Sequence, residues 1–204
     1  MPSIKHKIPY LLIYSRLVIA IAIIFLSADH IAYYSLIAII LLSTGLLTDI
    51  FDGIIARQLN ISTQKLRRLD SAIDQVFFIA FTIATYIQCP DFFKSNIIKL
   101  VILFSFEGFT YLLSFLKFKK EIATHSIGAK IWSLLLVATL IEIIVRCQSV
   151  ILFNCCFWIG LLTRLEITAI IMILKTWTNY VPTLYHALKL RKGKEIKRHK
   201  MFNG

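Results

Sequence analysis

Apolar residues run along this chain in six blocks, each closed by a cluster of polar or turn-forming residues. The blocks cover about 8–27, 31–55, 70–88, 97–116, 127–145 and 151–174. Each is close to the length a helix needs to cross a hydrocarbon layer of about 30 Å. Little within them alternates with a period of two, so strands are not expected. Cys89-Pro90-Asp91 interrupts the chain after the third block, where proline and its neighbours cannot continue a helix. The expectation is an all-α integral membrane protein of six transmembrane helices. Residues 1–188 form the membrane domain and residues 189–204 a basic tail. The first block is long and contains Arg16, which argues against a cleaved signal peptide.

Composition agrees, with 58% hydrophobic residues and only 17% charged in 204. The formal net charge of +12 would suit a nucleic-acid binder, but its distribution does not. Six spans put the N-terminus, the Arg57–Arg68 loop, the Lys117–His125 loop and the C-terminal tail on one side, and these hold nearly all the Lys and Arg. Lys94, Lys99 and Arg146 fall on the other. The bias places both termini at the cytoplasmic surface and favours anionic lipid headgroups over nucleic acid as partners. Trp177, Tyr180 and Tyr185 suit an interfacial belt.

Several ionised residues lie inside the apolar blocks, and in lipid each must face the protein interior, pair or snorkel. Arg164 and Glu166 are two apart and cannot meet on a helix, so Glu107 is the candidate partner of Arg164. Of the four cysteines, none has metal-site spacing and all read as small apolar fillers. Cys89 and Cys147 both fall near the outer surface, so a disulfide between them is the alternative.

The candidate chemistry is concentrated between Asp49 and Asp74. Asp49 and Asp52 stand i,i+3 at the end of the second block; Asp70 and Asp74 stand i,i+4 in the third. Each pair shares a helix face, and antiparallel helices across a short loop would bring all four together. Asp49 and Asp52 lie toward a helix C-terminus, where negative charge opposes the macrodipole and needs a compensating partner. Carboxylates in such a cluster repel unless cations intervene, and an all-oxygen donor set favours Mg²⁺, Mn²⁺ or Ca²⁺. Arg16 and Lys130 fall at about the same depth, where cations can bind phosphate.

The pattern Asp49-x-x-Asp52-Gly53-x-x-Ala56-Arg57, eight residues, then Leu66-x-x-x-Asp70-x-x-x-Asp74 resembles the signature of the CDP-alcohol phosphotransferases. These are membrane enzymes of phospholipid synthesis, also called CDP-alcohol phosphatidyltransferases. The one departure is Leu66, which stands where the family has its second glycine. A leucine there crowds the nucleotide pocket or shifts the loop–helix junction.

The resemblance implies a six-span fold and transfer of a substituted phosphate, usually phosphatidyl from CDP-diacylglycerol, to an alcohol with release of CMP. It implies Mg²⁺ or Mn²⁺, as one or two ions, held by Asp49, Asp52, Asp70 and Asp74. Asp74 is also the candidate catalytic base. Asp49, Gly53, Ala56, Arg57 and Leu66 border the nucleotide, and Arg16 and Lys130 are candidates for the acceptor or its phosphate. The segment Ile8-Pro9-Tyr10-Leu11-Leu12-Ile13-Tyr14-Ser15-Arg16 is similar to the opening of bacterial phosphatidylglycerophosphate synthases at Pro9, Leu12 and Arg16. Tyr10 and Ile13 replace polar residues of that opening. Glycerol 3-phosphate therefore leads as acceptor, with inositol phosphate, serine, an amino alcohol or a catalytically silent relative as alternatives. A bacterial inner membrane is the expected location, and a homodimer is compatible with the pattern.

Overall fold

The computed structural model describes residues 4–29, 31–59, 61, 63–120, 126–178 and 181–194. Among them the secondary structure is helical throughout. The long helices are α1 (Ile4–Ala28), α2 (Tyr34–Gln58) and α3 (Gln64–Gln88), with the six-residue α4 (Pro90–Ser95) following. Then come α5 (Ile97–Phe118), α6 (Ile127–Arg146), α7 (Ile151–Ile173) and the short α8 (Leu184–Arg191). Six of these are long and apolar enough to span a membrane, in the register the apolar blocks set.

Helix is the only open form in which such apolar segments can satisfy every backbone group without water. Buried threonines spend their hydroxyls the same way. Thr85, Thr110 and Thr139 donate to the carbonyls of Phe81, Phe106 and Leu135, each four residues back. α4 and α8 are absent from the six-block expectation because each is too short to show an apolar period. Pro90 ends the third block and also opens α4, as its fixed φ and missing N–H allow at a first helical position. α8 crosses the boundary expected at residue 188. Tyr180 and the tail from residue 195 lie outside the described residues.

The chain packs as two compact units. The first comprises the residues up to Phe93 together with Leu140–Gln148. In it α1 packs against both α2 and α3. Ile13, Arg16, Ala20 and Ile23 form the buried stripe of α1, while Leu11, Val18 and Phe25, seven apart, are exposed as lipid-facing residues would be. The stripe of α2 reads Ala38, Leu42, Gly45, Asp52, Ala56, and that of α3 includes Leu66, Ile73, Phe77, Phe81 and Ala84. Gly45 is small for a reason: a Cβ there would collide with the ring of Phe77. At the far end, Gln88 donates to the Ser27 carbonyl at 2.6 Å, and Ser35 donates to that of Ile144 at 2.9 Å. Cys89 and Cys147 are joined in a disulfide there, so two of the four cysteines are a crosslink rather than separate fillers. Cys156 is a buried free thiol and Cys155 an exposed one.

The second unit holds Lys94–Thr139 and the residues from Ser149 onward. α5 packs on α7, and α8 folds back on α7 through Ile170, Leu174, Val181 and Ala187. Arg164 and Glu107 form the ion pair anticipated from their positions, and the Arg164 guanidinium lies 4.4 Å from the centre of the Trp132 ring. Lys117 donates to the carbonyls of Ile171 and Met172 at 2.9 and 2.7 Å, capping the end of α7. Lys120 sits 4.7 Å from the centre of the Trp177 ring and Lys189 4.6 Å from that of Tyr185, as cations do over aromatic faces.

Candidate active site and metal centre

The site forms where α2 and α3 are joined by a short loop and run back past each other beside α1. Thr63 starts α3 by accepting a hydrogen bond from the Leu66 amide at 3.2 Å, a standard N-cap. With α3 beginning at Gln64, Asp70 stands nearly two turns inside the helix. It is therefore not a residue complementing a helix start. Asp49 and Asp52 lie in the last three turns of α2, and Asp52 belongs to the buried stripe. The carboxylates thus occupy positions that periodicity otherwise gives to apolar core residues.

All four aspartates meet one cation, Arg16. Its Nη1 donates to Asp49 at 2.9 Å and to Asp74; its Nη2 donates to Asp52 and Asp70, each at 2.5 Å. The Arg16 side chain is 1% exposed and that of Asp52 4%, whereas Asp49, Asp70 and Asp74 are partly open to the outside. Here is the compensating charge that the C-terminal end of α2 requires. The sequence named Arg16 as a phosphate ligand and missed this contact. Its signal was present in the spacing Ile13, Arg16, Ala20, Ile23, which puts the arginine on the inward stripe of α1.

One carboxylate oxygen from each of Asp49, Asp70 and Asp74 lies within 4.8 Å of the others. Two oxygens on opposite sides of a Mg²⁺ or Ca²⁺ ion are about 4–5 Å apart, so this trio needs little movement to share one ion. The donors are hard oxygens, and the presence of a guanidinium among them shows that the cluster attracts positive charge. The residues fit a divalent oxygen-seeking cation. Asp52 is tied to the same group through Arg16.

The remaining predicted residues divide by location. Apart from its chain neighbours and the backbone of its own helix, nothing lies within 4 Å of where a Cβ on Gly53 would stand, so α2 presents bare backbone to open space one residue beyond Asp52. Arg57, exposed one turn later, donates from Nε to the Gly53 carbonyl at 2.9 Å. Ala56 and Leu66 turn the other way. They are buried together with Ile13 and Ile73, with Ile61 and Leu69 packed at the edge. Leu66 is thus part of the apolar plug that fastens the α2–α3 junction to α1. Lys130 belongs to the second unit, exposed in the first turn of α6. In that unit Glu166 and Thr163 border Gly128, where a Cβ would come to 3.1 Å of each.

No curated protein and no solved structure matches the chain. The match that exists is to a family model and runs from the first helix to just before the last. CDP-alcohol phosphatidyltransferase is its description, residues 6–181 are matched, and the chain belongs to that family.

Proposed function

We propose that this protein transfers the phosphatidyl group of CDP-diacylglycerol to a small alcohol and releases CMP. Membership of the family carries the coarser statement, transfer of a phosphatidyl group from a CDP-alcohol to an alcohol acceptor. The observation that supports activity in this chain is the convergence of all four motif aspartates, from two helices, on a single cation.

In this reading Asp49, Asp52, Asp70 and Asp74 hold Mg²⁺ or Mn²⁺, which when bound neutralises the pyrophosphate so that a nucleophile can approach it. The acceptor hydroxyl attacks the phosphorus bearing the diacylglycerol. A new P–O bond forms, the bond to the CMP oxygen breaks, and Asp74 accepts the hydroxyl proton. Gly53 lets the cytidine nucleotide approach the α2 backbone, and Arg57 donates to its phosphate oxygens in the forked manner a guanidinium allows. Asp49 borders the same nucleotide. Ala56 and Leu66 shape its pocket indirectly, by setting how α2 lies on α1. Arg16 serves the acceptor phosphate, and the match at Pro9, Leu12 and Arg16 favours glycerol 3-phosphate. The donor's acyl chains stay in the bilayer, so the reaction takes place at the membrane surface. Charge bias supports the cytoplasmic side for that surface, and a bacterial inner membrane is the location proposed.

The test is direct. Purified protein is incubated with CDP-diacylglycerol, Mg²⁺ and a panel of alcohols including glycerol 3-phosphate, inositol phosphate and serine; lipid products are then identified by mass. Expected are metal-dependent CMP release and one new phospholipid. Asp→Asn at each of Asp49, Asp52, Asp70 and Asp74 should reduce the rate by orders of magnitude, because the four act as a unit. Absence of metal-dependent CMP release with every acceptor would sink the proposal.

A further inference from the structure

Arg16 does more than lie near the aspartates. Its two terminal nitrogens contact oxygens of all four, and the oxygens of Asp49 and Asp74 that face its Nη1 come from different helices. A divalent ion among Asp49, Asp70 and Asp74 would draw on the same carboxylates that the guanidinium contacts and would meet its positive charge at close range. The two cations therefore compete for one set of donors. One guanidinium offsets only one of four formal negative charges, so it is a weaker compensator than the ions it would yield to. It is also incompletely satisfied: Nε is buried with no hydrogen-bond partner, so this position leaves one of the five guanidinium donors unused.

We propose that Arg16 is a resident counter-cation that exchanges with the divalent ion at Asp49, Asp52, Asp70 and Asp74. Before the ion arrives it holds α1, α2 and α3 together against carboxylate repulsion. When the ion takes the carboxylate oxygens, Arg16 releases them and its donors become available to a phosphate. Metal affinity is thereby set below what the aspartates alone would give, and the arginine engages an anionic substrate only after the ion has bound. This rests on the metal-centre reading above, which the experiment examines separately.

The measurement is Mn²⁺ binding to purified protein in detergent, by electron paramagnetic resonance titration, alongside thermal unfolding in chelator. Wild type is compared with Arg16→Met, which keeps most of the side-chain volume without the charge. Arg16→Met should bind Mn²⁺ at least tenfold more tightly than wild type and unfold at lower temperature in chelator, with Mn²⁺ restoring stability. Adding Asp49→Asn to Arg16→Met should remove the gained affinity, which locates the ion at the cluster. An Arg16→Met protein that folds only with Mn²⁺ supports the exchange equally. If it misfolds in both conditions, Arg16→Lys decides, since a single ammonium cannot fork across four carboxylates. At least threefold tighter Mn²⁺ binding by Arg16→Lys then supports the proposal. Wild-type binding with no gain in the substituted protein overturns the exchange and leaves the metal centre standing. No Mn²⁺ binding by either protein overturns both.

Discussion

Leu66→Gly, which restores the residue the family carries at this position, separates packing from crowding. Leu66 is 4% exposed and packs with Ile13, Ala56 and Ile73 at the junction of three helices. Removing a buried leucine side chain costs about 2–5 kcal/mol through lost contacts and the cavity left behind. Glycine adds up to about 1 kcal/mol of backbone entropy, less here because the position is in the first turn of α3. A loss of about 3–4 kcal/mol is expected, and at about 2–4 °C per kcal/mol for a chain of this size the melting temperature should fall by about 10 °C. Leu66→Ala should account for most of that fall, since it makes the cavity without freeing the backbone. CDP affinity, measured by titration at a temperature where the variant is folded, should stay within about threefold of wild type, or about 0.7 kcal/mol. The assays are thermal unfolding in detergent and calorimetric titration with CDP. A glycine variant that melts within about 2 °C of wild type would refute the packing argument. Tenfold tighter CDP binding would show instead that the leucine crowds the nucleotide.

Gly45→Ala drives a methyl group into the ring of Phe77, itself fully buried, and should cost about 1–3 kcal/mol; trimming the ring with Phe77→Leu in the same protein should return part of it. An unchanged melting temperature for Gly45→Ala would contradict the seating of the Phe77 ring against Gly45. Reduction of Cys89–Cys147, 58 residues apart, should lower stability by an amount bounded by the chain-entropy value of about 4 kcal/mol; a melting temperature indifferent to reductant would mean the crosslink contributes nothing. In a background lacking other reactive cysteines, Lys65→Cys should react with an impermeant thiol reagent only from the cytoplasmic side and Gln148→Cys only from the outside. Labelling in the opposite sense would reverse the orientation deduced from loop charge.

Local regularities were readable from the residues alone. Six apolar blocks are six long helices because backbone satisfaction in lipid is a property of each segment by itself. The pairing of Asp49 with Asp52, and of Asp70 with Asp74, follows from helical spacing. The family resemblance rested on the same short stretch, Asp49 to Asp74. Glu107 and Arg164 could be matched across helices because few charges lie within the spans, which leaves few partners to choose from. What tertiary structure decided is which faces meet. The depth of Arg16 pointed to phosphate, but only the packing of α1 on α2 and α3 brings its guanidinium to all four carboxylates. Leu66 stands where the family has glycine, and only the fold, through the Thr63 cap and the start of α3, puts it among Ile13, Ala56 and Ile73. For Cys89 and Cys147 the sequence offered a disulfide as the alternative to two apolar fillers, and the distance between two helix ends decided for the crosslink. Spacing along a chain encodes which side chains share a face; which faces then pack together depends on contacts summed over distant segments, and no stretch of sequence carries that sum alone.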